Sequence, residues 1–233
     1  MTSTYDSERF EQAVPIAPAE ERAGFILRTY SHLFGALSGF VLLEIFFFTT
    51  GVADRLAAAM LSVSWLWILG AFMVVGWLAS RAAHTVESLP LQYLALGGFV
   101  VAQALIFLPM LYVARAYAPG AIESAAAVTF AGFVGLTAVA FLTRKDFSFL
   151  RGLMLWGGIV ALVAIGAGAI FGFELGTWFS VAMIAFAGAA ILYDTSNILH
   201  HYPSDRYVAA ALELFASVAL MLWYVLRLFM SRD

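Results

Sequence analysis

Seven long apolar runs, joined by short polar or glycine- and proline-containing connections, make up most of this 233-residue sequence. A helix that crosses the hydrocarbon core of a bilayer needs roughly 20 mostly apolar residues. Backbone groups in lipid must find hydrogen-bond partners within their own segment, so long runs of this kind predict helices. The predicted spans are Leu27–Thr50, Val63–Ala79, Leu91–Val113, Ile122–Leu142, Phe149–Phe171, Thr177–Leu199 and Tyr207–Met230.

The composition supports an all-α integral membrane protein. Hydrophobic residues make up 63% of the chain and charged residues only 12%, whereas soluble domains carry about 25% charged residues. A membrane β-barrel is excluded because its strands alternate apolar and polar residues over about 10 positions. We therefore predict a polar N-terminal tail over residues 1–24 and one seven-helix transmembrane domain over residues 25–233. The net charge of −3 also argues against a nucleic-acid partner.

The basic residues predict which ends of the helices face the cytoplasm, because short cytoplasmic loops are enriched in lysine and arginine. One side would carry eight of them: Arg9, Arg22, Arg28, Arg81, Arg144, Lys145, Arg151 and Arg206. The other side would carry four: Arg55, Arg115, Arg227 and Arg232. This bias predicts a multi-pass protein of the inner (plasma) membrane with a cytoplasmic N-terminus and an external C-terminus.

The last two predicted spans each contain a carboxylate, Asp194 and Glu213. A charged residue at the centre of a membrane helix costs roughly 2.5–3.5 kcal/mol on insertion scales, so such residues usually have a function. Asp194, Asn197 and His201 share one helical face, since their spacing is three and then four residues. Glu213 and Ser217 share a face of the next span, and Tyr224 continues it. We expect this polar stripe to face the protein interior.

Two carboxylates at one depth on antiparallel helices form either a proton-dependent switch or a site for a hard cation such as Ca²⁺. A short turn joins the two helices, and each carboxylate would lie about 10 Å inside its helix end. Asp194 and Glu213 are therefore expected to lie level with each other. Arg81, after the second span, is a candidate partner for Asp194. Glu44 and Glu174 have no evident partner in the sequence, and we expect both at the membrane interface.

Several enzymatic and photochemical classes find little support. A retinal protein needs a lysine in its last helix, but the sole lysine, Lys145, lies in a predicted loop. An intramembrane serine protease would need a serine with a histidine on a nearby helix. The segment GALSG at Gly35–Gly39 is not the G-x-S-G arrangement of such enzymes, and His32 lies in the same helix without a partner elsewhere. A seven-helix zinc hydrolase would need three converging histidines and stays open as a less favoured alternative. The available histidines are His32, His84, His200 and His201. We expect no catalytic residues, no resident metal and no cofactor.

Three blocks of sequence resemble the Bax inhibitor-1 (transmembrane Bax-inhibitor-motif) family. They are FILRTYSHLFGALSGFVLLE at Phe25–Glu44, FLTRKDFSFLRGLML at Phe141–Leu155 and AAILYDTSNILHHY at Ala189–Tyr202. The last span, AALELFASVALMLWYVLRLF at Ala210–Phe229, matches in spacing. The blocks occur in the family's order, and the resemblance covers the chain from about Phe25 to Phe229.

The resemblance implies a seven-helix bundle with the seventh helix at its centre, and a pH-sensitive calcium leak across the membrane. It implies a proton-sensing pair of aspartates on helices six and seven, with an arginine on helix two that engages the first. The first aspartate matches Asp194, the arginine falls near Arg81, and the second aspartate is replaced by Ser217. We predict that Glu213, one turn earlier, takes over its role.

The expected function is accordingly a pH-sensitive channel or leak for Ca²⁺ or another cation, which is the transported ion. An alternative of a different class is a regulatory membrane protein that conducts nothing and acts through membrane-protein partners.

Overall fold

The computed structural model describes residues 19–85 and 88–231. These residues contain eight α-helices and no strand. The helices are α1 (Ala19–Thr49), α2 (Val52–Leu61), α3 (Trp65–Thr85), α4 (Leu89–Tyr117), α5 (Ala121–Thr143), α6 (Leu150–Phe171), α7 (Thr177–His200) and α8 (Tyr207–Met230). All except α2 are long and apolar enough to cross a membrane. The predicted all-α fold with seven spans is confirmed.

The first and third helices extend beyond the apolar runs that predicted them. Helix α1 begins at Ala19, so residues 19–24 of the predicted tail form its first turns. Glu20 and Glu21 lie in that first turn, where acidic side chains favour the positive end of the helix dipole. Helix α3 continues to Thr85, past the predicted end at Ala79. Residues 1–18 of the tail, with Arg9, lie outside the described residues, as do Arg232 and Asp233.

The short helix α2 was not predicted, because its ten residues are too few to span a bilayer. Gly51 precedes it with a φ of 73°, a left-handed conformation that glycine adopts without a steric penalty. The small side chains of Ala53 and Ala57 are buried and pack with Leu108 of α4. A turn that the sequence indicated as a plain connection therefore contains a short helix that packs on the bundle.

The last helix, α8, is the most buried span, with 72% of its most apolar window inside the protein compared with 6% for α6. It packs against α1, α3, α4, α5 and α7. The clearest packing partner of α6 is α7. The complete ring of six helices around the last one, which the resemblance implies, stays a prediction.

Side-chain contacts show which helix ends lie on the same side of the bundle. The Nη1 group of Arg22 donates a hydrogen bond to the carbonyl of Tyr202 at 2.8 Å, and His84 Nε2 lies 3.1 Å from the Tyr202 hydroxyl. The start of α1 and the ends of α3 and α7 therefore meet at one side, which we call the inner end. At the opposite side, the outer end, Arg227 donates to the carbonyl of Leu175 at 2.7 Å. This arrangement agrees with the predicted alternation, while the assignment of the inner end to the cytoplasm stays a prediction.

Candidate functional site

A central cavity of about 1330 Å³ lies between α3, α4, α6, α7 and α8. Asp194, Glu213 and Ser217 line its inner end, and Arg227 and Glu174 line its outer end. Between them the lining is mostly apolar and includes Trp65, Phe72, Phe99, Phe107, Leu220 and Trp223. Both predicted carboxylates thus face one cavity from neighbouring helices.

Asp194 of α7 is held by a serine of α8. The Ser217 hydroxyl donates a hydrogen bond to Asp194 Oδ2 at 2.5 Å. Ser217 is only 8% exposed, so this contact lies inside the protein. Hydrogen bonds to an ionised acceptor are short and roughly twice as strong as neutral ones. Ser217 therefore occupies the position directly opposite Asp194, where a second carboxylate would be in contact with it.

Glu213 has its own partners, and they come from α3. The Ser80 hydroxyl donates to Glu213 Oε1 at 2.6 Å, and His84 Nδ1 lies 3.8 Å from the same oxygen. Glu213 and Asp194 line the same cavity from neighbouring helices. Ser217, not Glu213, makes the direct contact with Asp194, and Glu213 lies one turn earlier on α8. The equal depth of the two carboxylates stays a prediction. The proton shared by the two carboxylates stays a prediction.

Tyr202, in the connection between α7 and α8, contacts His84 near Glu213. Its hydroxyl lies 3.1 Å from His84 Nε2, and its ring stacks on Phe25 with centroids 6.3 Å apart. Burial raises the pKa of the Tyr202 hydroxyl, and the nearby Glu213 charge adds to the effect. Tyr202 therefore remains neutral and can donate or accept a hydrogen bond at this position.

A second cavity of about 420 Å³ lies at the inner end. Asn197, His201 and His84 line it, and Tyr193 lines both cavities. The face predicted from the sequence is therefore divided between the two cavities. Asp194 belongs to the central cavity, whereas Asn197 and His201 belong to the smaller one.

His201, which lines the smaller cavity, also contacts an exposed carboxylate. His201 Nε2 lies 3.0 Å from Asp146 Oδ2, in the connection between α5 and α6. The backbone N–H of Ser148 donates to Asp146 and holds the pKa of that carboxyl below its ordinary value, with a further contribution from His201. The same connection is attached to α7 by the N–H of Phe147, which donates to the Ser196 hydroxyl at 2.8 Å.

Arg81 does not contact Asp194 in this structure. Its guanidinium lies 5.4 Å from the centre of the Trp77 ring, and its side chain is exposed. The part of α3 that contacts a carboxylate is instead Ser80 and His84, which are one turn apart on the same face. The pairing of Arg81 with Asp194 in another state stays a prediction.

A comparison with known protein families assigns the chain. The family model described as "Inhibitor of apoptosis-promoting Bax1" matches residues 22–233, which include all seven spans and both carboxylates. The chain belongs to the Bax inhibitor-1 family. It is a multi-pass integral membrane protein of that family.

Individual members of the Bax inhibitor-1 family match more locally. The chain is 36% identical over 111 residues to an uncharacterized protein of Pseudomonas aeruginosa, covering 46% of this chain and 49% of that one. It is 32% identical over 153 residues to Protein LIFEGUARD 4 of Arabidopsis thaliana, covering 62% and 59%. It is 33% identical over 87 residues to Modulator of FtsH protease YccA of Escherichia coli, covering 37% and 39%. These matches span between about two fifths and three fifths of the relatives' lengths.

The sequence analysis did not predict the side chains that contact the two carboxylates. Ser80 and His84 lie four residues apart near the end of α3, which was the available signal, but the sequence does not show which helix they meet.

The burial of Glu44 was also not predicted. It is only 8% exposed, and neither carboxyl oxygen has a hydrogen-bond partner within the described residues. The side chain of Glu44 is buried because the face of α1 that carries it packs inward, while its interfacial depth stays a prediction.

The polar stripe of α8 faces inward, as predicted. Glu213, Ser217 and Tyr224 all line the central cavity, and Tyr224 is only 4% exposed.

The zinc-hydrolase alternative requires three ligands that converge. Across residues 19–85 and 88–231, no three His, Cys, Asp or Glu side chains lie close enough to hold a metal ion. The geometry of the described residues therefore does not support the zinc-hydrolase alternative.

Proposed function

We propose that this Bax inhibitor-1 family member is a proton-controlled leak for Ca²⁺ or another cation. The observation that carries the proposal is that Asp194 and Glu213 line the same cavity from adjacent helices. Each carboxylate accepts a hydrogen bond from a serine of a neighbouring helix, Asp194 from Ser217 and Glu213 from Ser80. A membrane protein gains no stability from placing two such charges in its interior, so a function in binding cations or protons accounts for them.

The inner end of the cavity offers oxygen atoms, which are the ligands that Ca²⁺ prefers. Two carboxylates and the hydroxyls of Ser80 and Ser217 lie there, fewer than the six to eight ligands of a tight calcium site. A leak needs a site of this kind, because conduction requires binding that is favourable enough for entry and weak enough for release.

The apolar middle of the cavity supplies the closed barrier. Ions cross an apolar constriction poorly, because such constrictions gate by losing their water. We infer that the structure represents the non-conducting state, in which the rings of Phe72, Phe107 and Trp223 make the middle of the cavity apolar between its charged ends. Protonation of a carboxylate changes the hydrogen bonds that hold α8 to α3 and α7, and so biases the helices between closed and open arrangements.

The location in the inner membrane, with the inner end of the cavity toward the cytoplasm, is part of the same proposal. The excess of basic residues that the sequence predicts for that side supports the orientation. Proton control would then respond to cytoplasmic pH through the smaller cavity, which His84, Asn197 and His201 line.

Ion flux into liposomes tests the proposal. Purified protein is reconstituted, and Ca²⁺ uptake is followed with an internal dye at acidic and at neutral pH, with protein-free liposomes as the background. We expect pH-dependent uptake that loses its pH dependence in Asp194→Asn. The matched control is Asp54→Asn, the same change at an exposed aspartate of α2 that lines neither cavity. No uptake above background with any of Ca²⁺, Na⁺ or K⁺, or an unchanged pH response in Asp194→Asn, would reject the proposed function.

A non-conducting regulator is the second candidate, and the similarity to a named protease modulator favours it. The match to Modulator of FtsH protease YccA covers 37% of this chain. On this account the chain acts on a membrane protease through its surface, and the interior carboxylates serve only the packing of the helices. Co-purification of a membrane-bound protease with the wild type and Asp194→Asn alike, together with the absence of flux, would support it.

A further inference from the structure

The central cavity opens sideways toward the bilayer between α3 and α6. Met73 of α3 and Leu162 of α6 both line it, yet their side chains are 44% and 42% exposed. Both lie well inside their helices, at the depth of the hydrocarbon core. Helix α3 packs against α4 and α8, and α6 packs against α7, so the two helices lie on opposite sides of the opening. The medium that reaches this opening is the hydrocarbon of the lipid chains.

The outer end of the cavity carries a cation at headgroup depth. Arg227 lies in the last turn of α8, lines the cavity with Ser231, and donates from Nη2 to the carbonyl of Leu175. A guanidinium has five N–H donors in a planar fork that matches phosphate oxygens. Glu174 lines the same end, so a headgroup with an amine beside its phosphate would meet both charges.

The cavity is longer than one leaflet of the hydrocarbon core is deep. Arg227 lies fourteen residues beyond Glu213 on α8, about 21 Å along the helix axis. One leaflet accounts for about 15 Å of the hydrocarbon core. A chain that starts at Arg227 therefore ends near the membrane centre and leaves the inner end, with Asp194 and Glu213, unoccupied.

We propose that a bilayer phospholipid binds in the outer half of this cavity. One acyl chain enters between α3 and α6 and lies against the apolar wall that includes Trp223, while the phosphate binds Arg227. The apolar surface of the wall is covered by the chain, and Arg227 gains an anionic partner. The inference goes beyond the proposed leak and does not depend on it, since it concerns another ligand and the outer end of the cavity.

Binding of phosphatidylethanolamine to the delipidated protein in detergent tests the proposal, with native mass spectrometry to count bound lipids and to give the Kd. Gly158→Leu is the blocking variant. Gly158 lines the cavity, and a Cβ added there meets no atom within 4 Å, so the larger side chain fills the cavity without a backbone clash. Gly152→Leu is the matched control, because Gly152 is an exposed glycine of the same helix with equally open space.

We expect one phospholipid to bind the wild type and Gly152→Leu, with a Kd at least about tenfold weaker in Gly158→Leu and in Arg227→Gln. Arg227→Lys keeps the charge and should recover part of the affinity. Thermal unfolding of each variant checks that it is folded. Equal binding to Gly158→Leu and Gly152→Leu would overturn the cavity as the site. Equal binding of oleate, which has no phosphate, or no effect of Arg227→Gln, would overturn the role assigned to Arg227. If the protein conducts no cations and the proposed leak fails, these lipid-binding results are still expected.

Discussion

The two ends of the central cavity surround their charged residues in different ways. At the inner end, Glu213 of α8 is bonded to Ser80, and Asp194 of α7 is bonded to Ser217. At the outer end, Arg227 donates to a backbone carbonyl and lies beside an apolar wall that opens to the bilayer. The inner end is thus a network of side chains from three helices, and its charges depend on one another. The outer end carries Arg227 and Glu174 without such a network, and under our lipid proposal Arg227 binds a phosphate from the membrane.

A third acidic residue sharpens this contrast. Glu44 of α1 is buried like Ser217, but its carboxyl group has no hydrogen-bond partner in the described part of the chain. A buried polar group without a partner costs stability, whereas one with partners can be neutral or favourable. The comparison between Glu44 and the inner end therefore separates the presence of an interior carboxylate from the network around it.

The largest effect is expected from Ser217→Asp, which places a second carboxylate in contact with Asp194. Two carboxylates at this distance cannot both ionise easily, so one must take up a proton. We expect Ca²⁺ flux to change about tenfold or more between acidic and neutral pH, a steeper response than in the wild type. Flux in liposomes at several pH values measures it. Ser217→Asn, of the same shape but uncharged, is the control; a response equal to that of Ser217→Asp would show that charge at this position is irrelevant.

A smaller effect is expected from Glu213→Gln, which keeps the side-chain shape and removes the charge. If Glu213 replaces the family's second aspartate, its effect on the pH response must depend on Asp194. A double-mutant cycle with Asp194→Asn should give a coupling of about 0.5–3 kcal/mol. The cycle uses the flux rates of the wild type, the two single variants and the double variant at acidic and at neutral pH. Strict additivity would remove Glu213 from the proton-sensing pair and leave a single-carboxylate site.

Opposite effects on stability are expected at the partnered and unpartnered glutamates. Glu44→Leu removes a buried carboxyl group without partners and should stabilise the fold by about 1–2 kcal/mol. Glu213→Leu leaves the Ser80 hydroxyl without its acceptor and should destabilise by a similar amount. Thermal unfolding in detergent compares the same substitution at the two sites. A loss of stability in Glu44→Leu would mean that Glu44 has a partner, and the contrast with Glu213 would fail.

The smallest effect is expected from Asp146→Asn, at the exposed pair with His201. The folded state lowers the pKa of Asp146, so the carboxylate stabilises the protein at pH values above its ordinary range of about 4. This contribution is lost as the pH falls through the lowered pKa. The variant should therefore unfold slightly more easily than the wild type at neutral pH and equally easily in acid, as measured by thermal unfolding at the two pH values. A difference that persists in acid would show that the amide disturbs the connection by other means.

Some parts of the site followed from sequence reasoning because they depend on local periodicity. The stripe of Glu213, Ser217 and Tyr224 follows from helical spacing, and the high cost of charge in lipid indicates that it faces inward. The contacts of Glu213 did not follow, because Ser80 and His84 lie more than a hundred residues earlier in the chain. The contact of Asp194 with Ser217 did not follow either, because helix ends indicate the depth of a residue but not the neighbour that its side chain meets.

The sequence by itself determined the number of spans, their helical form and the family, because apolar length and motif order are properties of the chain alone. It also marked Asp194 and Glu213, since a charge in an apolar run is costly wherever the helix packs. Only the tertiary structure decided that Glu44 is buried, that α2 packs on α4, and that the cavity opens between α3 and α6. These features depend on which face of each helix meets which neighbour, and mostly apolar helices pack through small differences in side-chain shape that hydropathy does not record.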